Sequence, residues 1–529
     1  HTRFGDVQGY EDKNGTWVWK AVPFAEPPVG DLRWRAPRDP KPWRGIRKKR
    51  SFNKGCTQFS VFGGVRGSED CLYLNIWRPR SIEKSLPVYV WIHGGGNSIG
   101  SATMVKDYYG NRLAARSNMV YVSLNYRLGP FGWFTHPALR EGNDPGDDSG
   151  NFGTLDIVQG LKWIHENITA FGGDPNQVII TGESAGGMNV LSMLISPRPA
   201  GLFNKAMCQS GLPWTRAVAE GEQKASRILA ELLVSDHKAQ TMEAAADLAS
   251  TMKPEEIRAY LRSKNDRDIL RCLKRGAVGM NDNPAIFRDG YVIPREGYKT
   301  LENGTYPNKV PLIIGSNREE YKLFLWLSRK EIRWRDDLYQ PLAKYQSELW
   351  KAAGVDDIAR KLTAQPGQPP VYAYQFAWGA PDALGNSPMP GKWGRKLGAF
   401  HSLEIPFFLG TDTVDGFLQL FLFNGKNKPG RKLLSQAMMD YAAQFVRTGN
   451  PNPSGDSRLP LWEPWSNEPG GPKSIVFDVD GEALDIGMMR DEYTVLGVME
   501  RLEKDLQDPL KGRVLEYIRQ ANLVGEKIE

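Results

Sequence analysis

Val178-Ile179-Ile180-Thr181-Gly182-Glu183-Ser184-Ala185-Gly186-Gly187-Met188-Asn189-Val190-Leu191 reads as a β-rich run, a turn of small residues around one serine, and a helix-capable stretch. Strand, sharp turn and helix in that order put the Ser184 hydroxyl on an exposed elbow above a sheet. A nucleophilic serine needs that exposure, a base beside it, and donors aimed at a developing oxyanion. The bare G-x-S-x-G pattern also occurs at Gly96-Asn97-Ser98-Ile99-Gly100. There it follows glycines rather than a strand, and nothing rigid is expected to hold it. Ser184 is therefore the candidate nucleophile and Ser98 a decoy.

Upstream, the apolar run 88–92 leads into His93-Gly94-Gly95-Gly96. Consecutive glycines let backbone N–H groups point the same way and approach a substrate oxygen closely. Two oxyanion donors are expected in this loop, with a third from the N–H of Ala185 at the positive end of the following helix. Further β-rich runs lie at 72–77, 119–124 and 310–314, with helix-like stretches at 154–169 and 185–195. Continuous apolar strands alternating with helices predict an α/β fold, a large mostly parallel sheet covered on both faces. From about 217 to 275 the pattern turns helical, and helices are predicted again at 431–447, at 491–506 and after Pro509. One α/β body spanning 1–529 with a helical insertion is the expected organisation.

The 529 residues are 40% hydrophobic, 11% aromatic and 24% charged, which excludes a disordered chain, a collagen and a small disulfide scaffold. No run of eighteen apolar residues occurs, so no transmembrane helix is predicted. The start at His1 lacks a signal segment, and the missing initiator Met fits removal of an N-terminal piece. Net charge is +7, a mild excess, and its one dense run, 44–50, has no interleaved aromatics. It reads as a solvated loop, and no nucleic-acid partner is expected. Of four cysteines, Cys56 and Cys71 flank a glycine-rich stretch; the sequence leaves a bridge and two free thiols equally open.

Six histidines are available as the base. In a sheet of this type the chain order is serine, acid, histidine, which leaves His237 and His401. His237 sits in a charged helical stretch and reads as a surface residue. His401 sits in the small and apolar loop Gly398-Ala399-Phe400-His401-Ser402-Leu403-Glu404-Ile405-Pro406, suited to a buried imidazole. The acid is expected after the run Val310-Pro311-Leu312-Ile313-Ile314-Gly315, where Glu319 and Glu320 are both available. A carboxylate there would fix the His401 tautomer and stabilise imidazolium; the residues alone do not separate the two.

Taken together, these pieces resemble the type B carboxylesterase family of α/β-hydrolases. The resemblance rests on Val22-Pro23-Phe24-Ala25-Glu26-Pro27-Pro28-Val29-Gly30 with Leu32-Arg33-Trp34, and on Ser68-Glu69-Asp70-Cys71-Leu72-Tyr73-Leu74-Asn75-Ile76-Trp77. The His93–Gly96 loop follows, then Asn151-Phe152-Gly153 through Phe171-Gly172-Gly173-Asp174-Pro175 to the Ser184 elbow, with Glu320 and His401 downstream. It implies an α/β-hydrolase fold, with insertions forming a cap and pocket segments around 320–430. It implies a serine carboxylic ester hydrolase acting through an acyl-enzyme, with Ser184, Glu320 and His401 as triad. Gly95, Gly96 and Ala185 would form the oxyanion hole, Glu183 and Ser210 would surround the triad, and Cys56 would pair with Cys71.

No cofactor and no metal are implied, and the partner is a small-molecule ester. A bridged Cys56–Cys71 would indicate a secreted or periplasmic location, and a monomer or a homodimer is expected. A lipase-like esterase and a catalytically dead adhesion protein are the rival readings; the second would have lost a triad residue. The chain departs from the family at Asn97, where an aromatic is usual and a more polar pocket follows, and at Thr154, Ile157 and Tyr321. Aromatic segments 321–326 and 417–423 suggest a roomy pocket or core packing. Lys322, Arg329 and Lys330 are read as solvated.

Overall fold

The computed structural model describes residues 1–411, 419, 422–454 and 458–521. Eleven strands form its main sheet. In chain order they are β1 (Tyr10–Asp12), β2 (Thr16–Pro23), β3 (Tyr73–Pro79), β4 (Leu86–Ile92), β5 (Val120–Leu124) and β6 (Gly173–Glu183). Then come β7 (Lys205–Gln209), β8 (Leu312–Asn317), β9 (Val371–Phe376), β10 (Ser474–Asp480) and β11 (Ala483–Met489). Their spatial order is β11-β10-β9-β8-β7-β6-β4-β5-β3-β2-β1. From β10 across to β5 every pair is parallel, and the strands outside that block run antiparallel to their neighbours.

Strands β4, β5, β7, β8 and β9 are buried along their whole length, as near-continuous apolar runs require in a sheet covered on both faces. Side chains alternate between two cores. Val88, Val90 and Ile92 join the core shared with α1 (Phe152–Asn167) and α2 (Ala185–Ile195). Tyr89 and Trp91 face the opposite core, which includes Leu434, Met438 and Phe445 of a helix spanning Lys428–Thr448. The helices expected at 154–169, 185–195 and 431–447 are thus present, each within a few residues of its predicted ends. β1, β2, β7, β9, β10 and β11 were not predicted. β9 lies directly after a proline-rich connection, and β11 is an edge strand whose residues alternate between exposed and half-buried.

The helical stretch after residue 217 contains α3 (Val218–Ser235), α4 (Met242–Thr251), α5 (Pro254–Ser263) and α6 (Asp266–Arg271). These four share an apolar cluster of their own with Trp34, Phe131 and Phe134. Near the end of the described chain, the amphipathic helices Val495–Asp505 and Leu510–Ala521 pack Val498, Leu502, Val514 and Ile518 on α8 (Asp336–Lys351), which follows α7 (Tyr321–Ser328). Cys56 and Cys71 are bridged. Within the loop they close, Phe62 is 99% exposed and Val61 is exposed beside it. In the basic run 44–50 all residues but Arg47 are exposed, as predicted for a solvated loop. Lys322 departs from its reading as a solvated charge: it is buried and its ammonium lies 2.6 Å from Glu319. Residues 417, 418, 420 and 421 of the aromatic segment lie outside the described residues.

Strand register lines up the carboxyl ends. Gly182 pairs with Ile92, Glu183 with Gln209, and Gln209 with Gly315. The glycine loop, Ser184, Ser210 and Glu320 therefore all emerge at one rim, the place where open parallel sheets bind ligands. The elbow itself depends on close approach. Ser184 sits at φ 58° and ψ −123°, and a Cβ added at Gly186 would lie 2.1 Å from the Ile92 carbonyl oxygen. One added at Gly182 would lie 2.5 Å from the Gly186 carbonyl carbon. Backbone on both sides leaves no flexible group to yield. Gly186→Ala is predicted to destabilise the protein by about 3 kcal/mol or more, at the upper end of overpacking costs. Urea unfolding measures it; a loss under about 1 kcal/mol would contradict the packing described.

Candidate active site

Ser184 is half-buried between two buried neighbours, Glu183 and Ala185. Its N–H donates to the Gln209 carbonyl (2.9 Å) and its carbonyl accepts from Met188 N–H (2.9 Å), so the backbone is held on both sides. Among the described residues its hydroxyl makes no hydrogen bond. Ser98, by contrast, is buried, and its Oγ donates to the Gly96 carbonyl at 2.9 Å. The expectation that nothing rigid holds Ser98 fails: its hydroxyl is spent on bracing the glycine loop.

That loop is shaped by contacts only glycine permits. Gly95 has φ 109°, and a Cβ there would lie 2.2 Å from the Ile99 carbonyl oxygen. A Cβ on Gly94 would fall 2.7 Å from the Glu183 carbonyl oxygen and 3.1 Å from Ser184 Cβ, so the loop passes directly over the elbow. Among the described residues the N–H groups of Gly95, Gly96 and Ala185 have no acceptor. Ala185 opens α2, where the first N–H groups lack intrahelical partners. His93 is buried and stacks on Tyr126 with ring centroids 4.4 Å apart. Burial pulls its imidazole down to about 4, so it carries no charge under the loop.

Glu320 and His401 meet. His401 Nδ1 lies 2.5 Å from Glu320 Oε2, and both side chains are almost wholly buried. The other oxygen of Glu320 accepts from Ser210 Oγ (2.5 Å) and Asn317 N–H (2.7 Å). Glu319 points elsewhere: it faces Lys322 and accepts from Ala399 N–H at 3.1 Å. The pair that sequence left open is thus divided by direction, with Glu320 alone bonded to the imidazole. His237 is exposed just beyond the end of α3 and takes no part.

The remaining nitrogen, His401 Nε2, is buried and has no hydrogen-bond partner. It lies 3.1 Å from Glu183 Oε1, a carboxylate that accepts from Ser402 Oγ at 2.5 Å. The structure thus brings the imidazole against the residue next to Ser184 without closing a bond to the serine oxygen. Catalytic hydrogen bonds are often open before substrate binds. Phe324 and Trp350 cover the ring, with centroids 4.9 and 5.1 Å from it.

A third carboxylate, Glu404, escaped the sequence reading. It is fully buried, accepts from Asn317 Nδ2 (2.6 Å) and Ser210 Oγ (3.4 Å), and adds to the field on His401. Its only signal was one acid inside the apolar run Leu403-Glu404-Ile405-Pro406-Phe407-Phe408. Burial raises Glu404 well above the usual carboxylate range, and it raises Glu183 too. Burial alone would lower His401, but Glu183, Glu320 and Glu404 outweigh it and hold the imidazole up at about 9.

A cavity of about 840 Å³ opens beside the glycine loop, lined by Gly96, Asn97 and Met188, by Trp214, and by residues of α3 and of the stretch 281–285. Asn97 is 2% exposed, and its Oδ1 accepts from Asn189 Nδ2 at 3.0 Å. Its amide therefore replaces the usual aromatic as part of a polar wall. A separate cavity of about 760 Å³, lined by Arg318, Glu319, Lys322 and Tyr345 among others, touches neither Ser184 nor the glycine loop. Among the described residues no cluster of His, Cys, Asp and Glu is arranged to hold a metal ion.

Comparison with known proteins agrees with this geometry. The sequence model of the carboxylesterase family matches residues 1–351 and 327–480. Para-nitrobenzyl esterase of Bacillus subtilis (strain 168) is 31% identical over 477 residues, covering 85% of this chain and 90% of that protein. The medium-chain fatty acyl-CoA hydrolase precursor of Anas platyrhynchos is 32% identical over 513 residues, covering 87% and 86%. Among solved structures, a carboxylesterase of Geobacillus stearothermophilus superposes with a TM-score of 0.71 at 30% identity, covering 92% of this chain and 96% of that one. An α/β-hydrolase sheet matched over nearly the whole chain by esterases has one reading: the chain belongs to the carboxylesterase family and hydrolyses carboxylic esters.

Proposed function

We propose that Ser184 is the nucleophile of this esterase, His401 its general base and acid, and Glu320 the carboxylate that orients the imidazole. The observation that carries the assignment is the bond between Glu320 and His401 Nδ1, which turns Nε2 toward the Ser184 elbow, where it faces Glu183 and makes no hydrogen bond. Ser184 Oγ attacks the ester carbonyl as its proton passes to His401 Nε2. The oxyanion is held by the N–H groups of Gly95, Gly96 and Ala185, which have no other acceptor to give up. His401 then protonates the leaving alcohol, and the acyl group remains on Ser184. A water deprotonated by the same nitrogen releases the acid. Glu183 and Ser210 position this pair from either side, and no cofactor enters any step.

The chain works in this reading as one catalytic unit, with the helices of 217–275 and the segments around 320–430 capping the pocket. Val61 and Phe62 are the only apolar side chains exposed on the Cys56–Cys71 loop. So small a patch favours soluble esters over a lipid surface. The bridge itself supports a secreted or periplasmic location.

Ser184→Ala is expected to lower kcat for para-nitrophenyl acetate by about 10⁴-fold or more and to abolish labelling by a fluorophosphonate probe, with the melting temperature retained. Labelling that persists would move the nucleophile to another serine. The pH profile gives an independent test. His401 must be neutral to accept a proton, and its surroundings favour the charged form. Hence kcat/KM should rise with pH along a limb whose midpoint lies above 6.5, the ordinary value for histidine. Glu183→Gln removes the carboxylate facing Nε2 and should move that limb to lower pH. A limb that stays in place, or moves up, would show that Glu183 does not act on the imidazole.

A further inference from the structure

The cavity beside the glycine loop carries more charge than hydrolysis of a simple ester calls for. Arg216, Lys224 and Arg227 line it against Glu220 and Asp282. Two of these cations are occupied: Lys224 Nζ lies 2.7 Å from Asp282, and Arg227 Nε donates to Glu231 at 2.8 Å. Arg216 is held more loosely. It pairs at 3.7 Å with one oxygen of Glu220, whose other oxygen accepts from Ala217 N–H at 3.0 Å. Among the described residues the Arg216 guanidinium makes no hydrogen bond, although it presents five donors.

Two amides in the same wall are also unsatisfied. The Nδ2 atoms of Asn97 and Asn281 are buried and without partners, while their Oδ1 atoms accept from Asn189 Nδ2 and Asn283 N–H. Buried polar groups left unpaired are uncommon, and each asks for a reason. A guanidinium that makes no hydrogen bond and two idle amides around one cavity suit a ligand rich in acceptor oxygens, a carboxylate above all.

The side of the ester that enters is fixed by the chemistry. The leaving alcohol must face His401 Nε2, whose ring is walled by Phe324 and Trp350. The cavity instead adjoins Gly96, Asn97 and Met188, the latter one turn along α2 from the nucleophile. Resting on the triad and oxyanion assignment above, we propose that this pocket receives the acyl half of esters whose acyl chain ends in a free carboxylate, with Arg216 as its specificity determinant.

The test compares two substrates by nitrophenolate release, after subtraction of spontaneous hydrolysis. One is the para-nitrophenyl monoester of adipic acid; the other is the same molecule with its second carboxylate capped as a methyl ester. The free carboxylate should raise kcat/KM about tenfold or more, the effect of one charge-assisted hydrogen bond. Arg216→Gln should bring that ratio down about tenfold. Arg116→Gln, the same loss of charge in the helix Asn111–Ser117, should leave it in place. A carboxylate on the leaving group, as in para-carboxyphenyl pentanoate against phenyl pentanoate, should bring no such gain. The inference is overturned if the charged acyl chain has no advantage, if Arg216→Gln keeps the ratio, if Arg116→Gln lowers it equally, or if leaving-group charge serves as well. Hydrolysis of the capped ester in those cases leaves the esterase assignment standing; release from neither substrate removes both.

Discussion

One buried carboxylate ties the active rim together. Glu320 is fully buried and accepts from Ser210 after β7, Asn317 at the end of β8, and His401 in the loop that follows β9. These groups come from three separate stretches of chain, and a charge so placed is tolerable only while its donors remain. The carboxylate therefore fixes the imidazole and is fixed by the sheet. The loop of His401 is further held by its backbone: the Phe400 carbonyl accepts from Asn317 Nδ2 and the Ala399 carbonyl from Glu319 N–H. Asn317 thus serves Glu320, Glu404 and the histidine loop at once.

On the other side of the imidazole the constraint is steric. The glycine loop can pass over Ser184 because Gly94 and Gly95 have no side chains, and α2 can start beneath it because Gly186 lies against the Ile92 carbonyl. Parallel register puts Ile92, Glu183, Gln209 and Asn317 at neighbouring strand ends, so each functional residue needs only one to four further residues to reach the rim. The sheet supplies the aim, and the loops supply the groups.

Much of this was legible in the sequence where local chemistry is unusual. The β6–elbow–α2 segment announces itself because strand propensity, small residues and helix propensity follow one another within fourteen positions. The glycine loop is legible for the same reason. What stayed hidden depends on three-dimensional neighbours. Glu319 and Glu320 are equivalent on paper and differ only in the direction each takes from a tight turn. Glu404 escaped notice because its partner Asn317 is far away in sequence, and Lys322 read as a solvated charge because such residues are rarely buried, although Glu319 stands only three positions before it. Ser98 looked loose because its acceptor, Gly96, is engaged through a turn that no propensity scale describes. The outer strands β10 and β11 were missed because one edge strand alternates between exposed and half-buried positions and no helix separates the two.

The central claim is that Ser184, His401 and the three N–H groups converge on one reacting centre, although the free enzyme leaves the serine–imidazole bond open. A crystal structure of the protein inactivated by a small organophosphate tests this directly. The account predicts phosphorus bonded to Ser184 Oγ, the phosphoryl oxygen about 3 Å from the nitrogens of Gly95, Gly96 and Ala185, and His401 Nε2 turned toward Ser184 Oγ or the phosphoester oxygen. An adduct on a different serine, or a phosphoryl oxygen turned away from the glycine loop, would contradict it.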